Sequence, residues 1–372
     1  MPYYIVVFII SLWATNLANK CYRNRKAYLF FSFFAVVPPI LLAGLRAPSV
    51  GSDTEQYIEE VFNLACMADS FEAFRERRED IEFIYMLLNY VISRFTNNAI
   101  YIQTVAHIFV ILPVYKAAML WRKDISPMYL MLFFYCISYQ ESLSTVRQAI
   151  AMSITLLAFT YFIRKEYKKY IIWSAIAFGF HVTAFIPLLF PVLYFITTKY
   201  PIKKYLFKYI FLISFSIYII GNLESYLVIL LSSGLIPVKY AIYSSTYSDF
   251  SQGLGITNVV VKILTLIYFT YIVLRSVNDK LLTLFFFIAA LDLLLSLAGS
   301  VLSPLQRLAY YPRIITCISI PYVFTKFPIY FILNRQRKKI PIALFFSILL
   351  IFFWYYVYMQ GDMDSTYAYT FA

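Results

Sequence analysis

The chain has 372 residues, of which 62% are hydrophobic, 20% aromatic and only 14% charged, with a mean hydropathy of +0.71. A soluble protein carries roughly 25% charged residues, so an ordinary water-soluble globule is excluded. The net charge of +13 does not point to nucleic acid, because in a membrane chain basic residues act first as orientation signals facing anionic lipid.

Apolar runs along the chain approach or reach the ~20 residues a helix needs to cross a ~30 Å hydrocarbon core. In chain order they predict twelve spans, at 2–18, 28–45, 99–121, 127–140, 142–163, 167–180, 182–198, 205–221, 256–275, 281–298, 309–325 and 341–358. The first has no basic lead-in and no small-residue cleavage site, so it reads as a retained span. Segments 127–140 and 167–180 are short enough to be tilted or re-entrant. Residues 81–95 are apolar but amphipathic: Ile84, Leu87, Leu88, Val91, Ile92 and Phe95 share one helical face, and Glu82, Asn89 and Ser93 populate the rest. That pattern predicts an amphipathic helix lying at the interface or against other spans, rather than a crossing. The expected architecture is an all-α polytopic integral membrane protein, one membrane domain over residues 1–372. A first outer segment at 46–98 carries the amphipathic helix, and a second outer loop lies at 222–255.

With the first connection cytoplasmic, the inner loops hold 22 basic residues against Asp124, Glu166 and Asp279, a net of +19, and the remainder of the chain carries −6. The positive-inside rule is obeyed strongly, and both termini face outward. Reading 81–95 as a crossing would invert every later loop. Cys21, Cys66, Cys136 and Cys317 show no metal-ligand spacing and no disulfide framework.

The informative cations are those on the outer side, where topology does not want them. Arg46 follows the second span, Arg147 sits in the outer half of the fifth, and Arg307 and Arg313 lie at the outer start of the eleventh. His181 marks the outer turn between the sixth and seventh spans, with Asp53, Glu82, Glu141 and Asp292 at or near the same level. Ionisable residues at membrane depth are costly, and function is their default explanation. Several converging guanidiniums suit a polyanion, because each grips phosphate oxygens through paired hydrogen bonds. The bland alternative is an internal network, Arg147 with Glu141 or Asp292 and Arg46 with Asp53. His107, inside a span, reads as a packing residue, whereas His181 can act as a base or donate to phosphate near neutral pH. Asp362 and Asp364, in "GDMDS", resemble a metal clamp but read as a solvated tail. In the 222–255 loop, Tyr240, Tyr243 and Tyr247 are interface-belt residues on the bland reading and saccharide contacts on the sharper one. No phosphate loop, dinucleotide fingerprint or HExxH motif is present.

"GLRAPSVGSDTEQY" (Gly44, Arg46, Gly51, Asp53, Tyr57), the acid Glu82 in "IEFIYMLLNYVI", "VRQAIAMSI" (Arg147, Gln148, Ala151) and "AFGFHVTAF" (His181) together resemble the EpsG-like, Wzy-type polysaccharide polymerases. The resemblance is carried by residues 28 to 200. Arg307 with Tyr310 or Tyr311 loosely matches the arginine near that family's last spans. The resemblance implies a membrane glycosyltransferase related to the lipid-sugar transferase (GT-C-like) architecture, in a bacterial cytoplasmic membrane, with its active site facing outward. Such an enzyme joins polyprenyl-diphosphate-linked oligosaccharide repeats into surface polysaccharide, without metal or cofactor. Donor and acceptor are both lipid-linked, and membrane lipid and a chain-length regulator protein are the remaining partners it allows. On this reading Arg46, Arg147, Arg307, Arg313, Tyr57 and Gln148 bind the pyrophosphate end. Asp53 or Glu82, or else His181, takes the acceptor proton. A ligase moving finished glycan is the nearest enzymatic alternative. A lipid-linked oligosaccharide flippase should carry duplicated halves around a midplane site, and no internal repeat is visible. A non-catalytic scaffold leaves the outer arginines unexplained.

Overall fold

The computed structural model describes residues 2–200, 202–223, 225, 226, 229, 233, 256–275, 279–328, 330–333, 338–361 and 365–372. Tyr240, Tyr243 and Tyr247, the Asp362 and Asp364 pair, and most of the 222–255 loop lie outside the described residues. The chain forms two compact units, one of Met1–Phe185 with Ile320–Ala372 and one of Ile186–Ser319.

In the first unit, α1 (Pro2–Lys20) and α2 (Arg25–Gly44) form a helical hairpin. Asn24 starts α2 by accepting the Ala27 N–H at 3.2 Å, one of the donors a helix start leaves unpaired. A π-helical turn (Glu55–Glu59) leads into α3 (Glu60–Met67), followed by α4 (Phe71–Arg77) and α5 (Phe83–Ser93). Next comes α6 (Ala99–Trp121), capped by Asn98 on the Ile100 N–H at 2.9 Å. α7 (Pro127–Phe134) continues through a π-helical segment (Tyr135–Tyr139) into α8 (Gln140–Ser144). Thr145, with ψ of 56°, breaks the run before α9 (Val146–Ile163). The boundary expected at residues 140–142 therefore lies at Thr145. α10 (Tyr167–Phe180) and a 3-10 segment (Val182–Leu188) follow.

α9 is the centre of this unit, buried almost all round, as a helix apolar on every face must be. Ala149, Ala151, Ser153, Thr155 and Ala158 are small enough to let its neighbours approach. α2 and α6 touch at Gly44, where a Cβ would stand 2.2 Å from the Thr104 hydroxyl. At the opposite end of the unit from Gly44, Arg122 lies over the Tyr22 ring at 3.5 Å and Lys326 meets Asp124 at 3.1 Å. These residues all belong to connections that the charge pattern assigned to one side.

The second unit contains α11 (Leu189–Lys199), α12 (Ile202–Gly221), α13 (Ile256–Arg275), α14 (Lys280–Val301) and the first part of α15 (Ser303–Lys326). α13 and α14 are joined by a buried ion pair, Lys262 to Asp292 at 2.5 Å. The chain then returns to the first unit through a short antiparallel hairpin of β1 (Tyr330–Leu333) and β2 (Lys338–Pro341), and through α16 (Ile342–Trp354) with its π-helical end (Tyr355–Gln360).

Among the described residues, eight helices are long and apolar enough to cross a membrane, and the chain is a polytopic α-helical membrane protein. Three of the four expected spans outside that number differ for visible reasons. α7 alone has eight residues and α10 fourteen, while α15 carries Arg307 and Arg313 into an apolar stretch. The helix expected within 81–95 is α5, whose 11 residues cover about 16 Å, half a hydrocarbon core. Its polar face is the one that packs on the protein. Tyr85, Met86, Asn89 and Ser93 face the protein, and the apolar Phe83, Leu87, Val91 and Phe95 face outward. Hydrogen bonds explain this: the Tyr85 hydroxyl donates to the Tyr57 carbonyl at 2.9 Å and Ser93 Oγ to the Ala65 carbonyl at 3.3 Å.

Candidate active site

Glu82 is the hub of the site. It stands at the start of α5 with an extended backbone (ψ 143°) and makes no capping bond to its own helix. Its carboxylate serves other segments. Oε2 accepts from Arg147 Nη1 at 2.5 Å, and Oε1 accepts the Val182 N–H at 3.2 Å, at the start of the 3-10 segment. Arg147 reaches this position because Thr145 breaks the helical run and lets α9 start afresh at Val146, one residue before it. The Arg147 guanidinium lies over the Tyr57 ring, 4.7 Å from its centroid. Three of the motifs singled out in the sequence thus meet at one carboxylate, with Tyr57 as a fourth wall. The Arg147 and Glu82 side chains are 13% and 16% exposed, so the pair is largely but not wholly withdrawn from water.

His181 ends α10 in an extended conformation (φ −158°) and is buried. Its Nδ1 accepts the Thr183 N–H at 3.2 Å and lies 2.7 Å from the Thr183 hydroxyl. A backbone amide can only donate, so the neutral ring carries its proton on Nε2. Nδ1 is 4.0 Å from Glu82 Oε1, beyond hydrogen-bond reach, and the bond from the amide keeps it an acceptor. In this tautomer Nε2–H is a donor, which fits contact with an acceptor oxygen better than proton abstraction.

Arg46 is placed otherwise than expected. It is fully buried, and its guanidinium donates to three backbone carbonyls: Nε to Val50 at 3.1 Å, Nη2 to Leu143 at 2.9 Å, and Nη1 to Ala43. Burial lowers its pKa to about 10, opposed by the surrounding Tyr139, Tyr4, Tyr369 and Tyr85, so it stays charged at neutral pH. No donor of Arg46 faces an open anion site. The pairing with Asp53 is not formed: Asp53 is half-buried and accepts from the Ser52 hydroxyl at 3.3 Å. Arg46 instead pins the loop after α2 to the turn at Leu143, just ahead of Arg147. Gly51 is required there, because its φ is +100° and a Cβ would meet the Leu143 carbonyl oxygen at 2.4 Å. Thr54 donates to the Val50 and Leu143 carbonyls, and the Ser52 N–H donates to Ser144 Oγ at 3.1 Å.

The remaining expected residues are spread out. Gln148 and Glu141 are buried in α9 and α8, and Asp292 pairs with Lys262 rather than Arg147. Arg307 and Arg313 belong to the second unit, where Arg313 lies 4.3 Å from the Tyr310 ring centroid and Arg307 is exposed. Among the described residues, no group of three or more His, Cys, Asp or Glu side chains is arranged to hold a metal ion.

Two features escaped the sequence reading. The residues after 364 are not a solvated tail. The Ala47 N–H donates to the Thr370 carbonyl at 2.9 Å, Gly51 N–H to Ser365 at 3.1 Å and Ala372 N–H to Leu45 at 3.0 Å. Thr366 is fully buried, and the Tyr369 hydroxyl donates to the Leu42 carbonyl. The tail is a strap along the Arg46 loop. The second feature is Arg78, which approaches the same Tyr57 ring at 5.9 Å. It is held by Asp80 at 2.9 and 3.1 Å and by Glu60 at 3.4 Å. The hydrogen bond from Arg78 holds the Asp80 carboxyl below the usual range. Its setting, "FRERRED", looks like a solvated charge run, and only the cross-contact with Tyr57 gives it away.

No curated protein and no solved structure matches the chain. The model of the EpsG family matches residues 28–371, so the similarity continues past residue 200, through the second unit and into the strap. With a match over nearly its whole length, this polytopic membrane protein belongs to the EpsG family, which ties it to polysaccharide biosynthesis.

Proposed function

We propose that the chain is a polysaccharide polymerase that joins polyprenyl-diphosphate-linked oligosaccharide repeats at the outer face of a bacterial cytoplasmic membrane. The observation that carries this reading is the meeting of Arg147, Glu82, His181 and Tyr57 in a chain of the EpsG family. The acceptor hydroxyl attacks the anomeric carbon of the donor chain, and the bond from that carbon to the lipid diphosphate breaks. The diphosphate leaves with the electron pair, and fixed cations stabilise the charge it gains. Arg147 meets that charge. Glu82 aims Arg147 and limits its motion, and a carboxylate so engaged is a weak base. Asp53, one turn before Tyr57 and paired with no cation among the described residues, takes the hydroxyl proton, and His181 contacts the acceptor.

Twelve crossings with both termini outward support lateral entry of the lipid on that side. Besides the eight long apolar helices, the continuous run from α7 to α8, and α10, α13 and α15, supply the other four. Lys326 against Asp124 agrees with a shared cytoplasmic side for their connections. The test is surface glycan from cells lacking the protein, resolved on a gel. A polymerase loss leaves single repeats attached, a flippase loss leaves none, and a ligase loss leaves polymer unattached. In purified protein, Asp53→Asn should bind lipid-linked repeats yet join them about 100-fold more slowly, the usual scale for losing a general base. Unchanged chain growth in Asp53→Asn moves the base to Glu82.

A further inference from the structure

A diphosphate carries more negative charge than one guanidinium offsets, and Arg147 is already matched by Glu82. Both partners of that pair are largely buried, so Glu82 does not leave when a ligand arrives. Arg78 is built differently. Its side chain is 12% exposed, whereas its partners Asp80 and Glu60 are 57% and 56% exposed. The guanidinium is held in place by its surroundings while the carboxylates on it sit in water. Ion pairs with such exposed partners contribute little and are readily exchanged. A carboxylate in bidentate contact with Arg78 also occupies the geometry that a phosphoryl group would take. Arg78 and Arg147 approach one ring, that of Tyr57, at 5.9 and 4.7 Å, so their guanidinium carbons lie at most about 11 Å apart, and the Arg147 charge also acts on Asp80, the carboxylate that Arg78 holds.

We propose that Arg78 is the second phosphate-binding residue of the site, exchanging Asp80 and Glu60 for one phosphoryl group of a diphosphate-linked lipid while Arg147 meets the other. The assignment rests on the polymerase reading above. It makes the site selective for a diphosphate over a monophosphate, because only the longer anion touches both cations.

The test uses the full chain in lipid nanodiscs, with farnesyl diphosphate and farnesyl monophosphate as competing probes against a fluorescent polyprenyl diphosphate. The wild type should prefer the diphosphate by about tenfold or more, the scale of one charged hydrogen-bonding contact. Arg78→Gln should lose that preference with monophosphate binding unchanged, and Arg78→Lys should regain part of it. Asp80→Asn, which releases Arg78 from its main partner, should tighten diphosphate binding. A strut role predicts the opposite for Asp80→Asn, because removing either half of a strut weakens the site alike. An Arg78→Gln protein that keeps the wild-type preference, or an Asp80→Asn protein that loses it, overturns the assignment and leaves the polymerase reading standing. A wild type that binds neither probe overturns both.

Discussion

Arg46 and Arg147 lie on segments that meet at the Leu143 turn, and they show how one side chain serves two purposes. Arg46 spends its donors on the carbonyls of Ala43, Val50 and Leu143 in complete enclosure. Arg147 faces one carboxylate and one aromatic ring and is not wholly enclosed. Backbone carbonyls cannot move without the loop, so the first arrangement is a cross-link. A carboxylate and a ring leave guanidinium donors for a ligand, so the second arrangement is the candidate site. The cross-link also serves the site, since the loop it fixes carries Asp53 and Tyr57, and the turn it grips precedes Arg147.

The sharpest way to break this comparison is to truncate both arginines. Arg46→Ala removes three buried hydrogen bonds from a charged donor, each worth about 1.5–3 kcal/mol; Thr54 still reaches the Val50 and Leu143 carbonyls, yet the loss approaches the whole stability of an ordinary domain. The expected result is little folded protein by size-exclusion chromatography in detergent, with poor rescue by Arg46→Lys, whose single ammonium cannot span three carbonyls. Arg147→Ala should remain folded and inserted but lose polymer by about 100-fold or more, the scale of removing one transition-state donor. Arg147→Lys should recover little of it. The double variant Arg147→Gln with Glu82→Gln should melt near the wild type, because no charge is left alone, and should stay inactive. A folded, merely inactive Arg46→Ala would erase the distinction between the two arginines.

The sequence made the ingredients legible but not their partners. Arg147, Glu82 and His181 stand out because charge at membrane depth needs a reason, Tyr57 came in through the family resemblance, and the structure brings those four together. The sequence offered Glu141 or Asp292 to Arg147, and neither pairs with it, because a carboxylate's level in the membrane says nothing of its azimuth around the bundle. Arg46 was misjudged for a related reason: hydropathy shows that a charge is costly, not whether backbone or ligand satisfies it. The apolar stripe of α5 was visible, but not that its polar face would pack on the protein. Tyr85 and Ser93 decided the matter through hydrogen bonds to segments 28 residues away. The strap at 365–372 was hidden because most of its pairing with the Arg46 loop runs through backbone bonds, and its tyrosines look like any other interface aromatics.

Gly51 sharpens the comparison at smaller scale, because it tests the loop without touching a charge. Gly51→Ala places a methyl in a left-handed conformation against the Leu143 carbonyl, a strain of about 1–3 kcal/mol. The protein should melt several degrees lower. It should also bind lipid-linked repeats more weakly, because displacement of this turn carries Asp53 and Tyr57 with it. Wild-type melting and activity in Gly51→Ala would mean that the loop is not held by this turn.

The smallest expected effect concerns Asp80, and it bears on whether anything in the site is exchangeable. Arg78 depresses the Asp80 pKa in the folded protein. A depressed carboxylate contributes stability above its unfolded pKa, near 4, and loses it as the pH falls through the lower folded value. Asp80→Asn should therefore cost less than about 1 kcal/mol at pH 7, the range for an ion pair with an exposed partner. The difference from wild type should shrink below about pH 4, where the wild-type carboxyl begins to take up its proton. Melting curves of both proteins across pH 3 to 7, at about 0.15 M salt where surface pairs are screened, measure this directly. A cost of several kcal/mol would make Asp80 as fixed a partner for Arg78 as Glu82 is for Arg147, and would close the exchange by which Arg78 could receive a phosphoryl group. A small cost leaves the site with one arginine whose counter-charge stays and one whose counter-charge can leave, the asymmetry needed to hold an anion that must later depart.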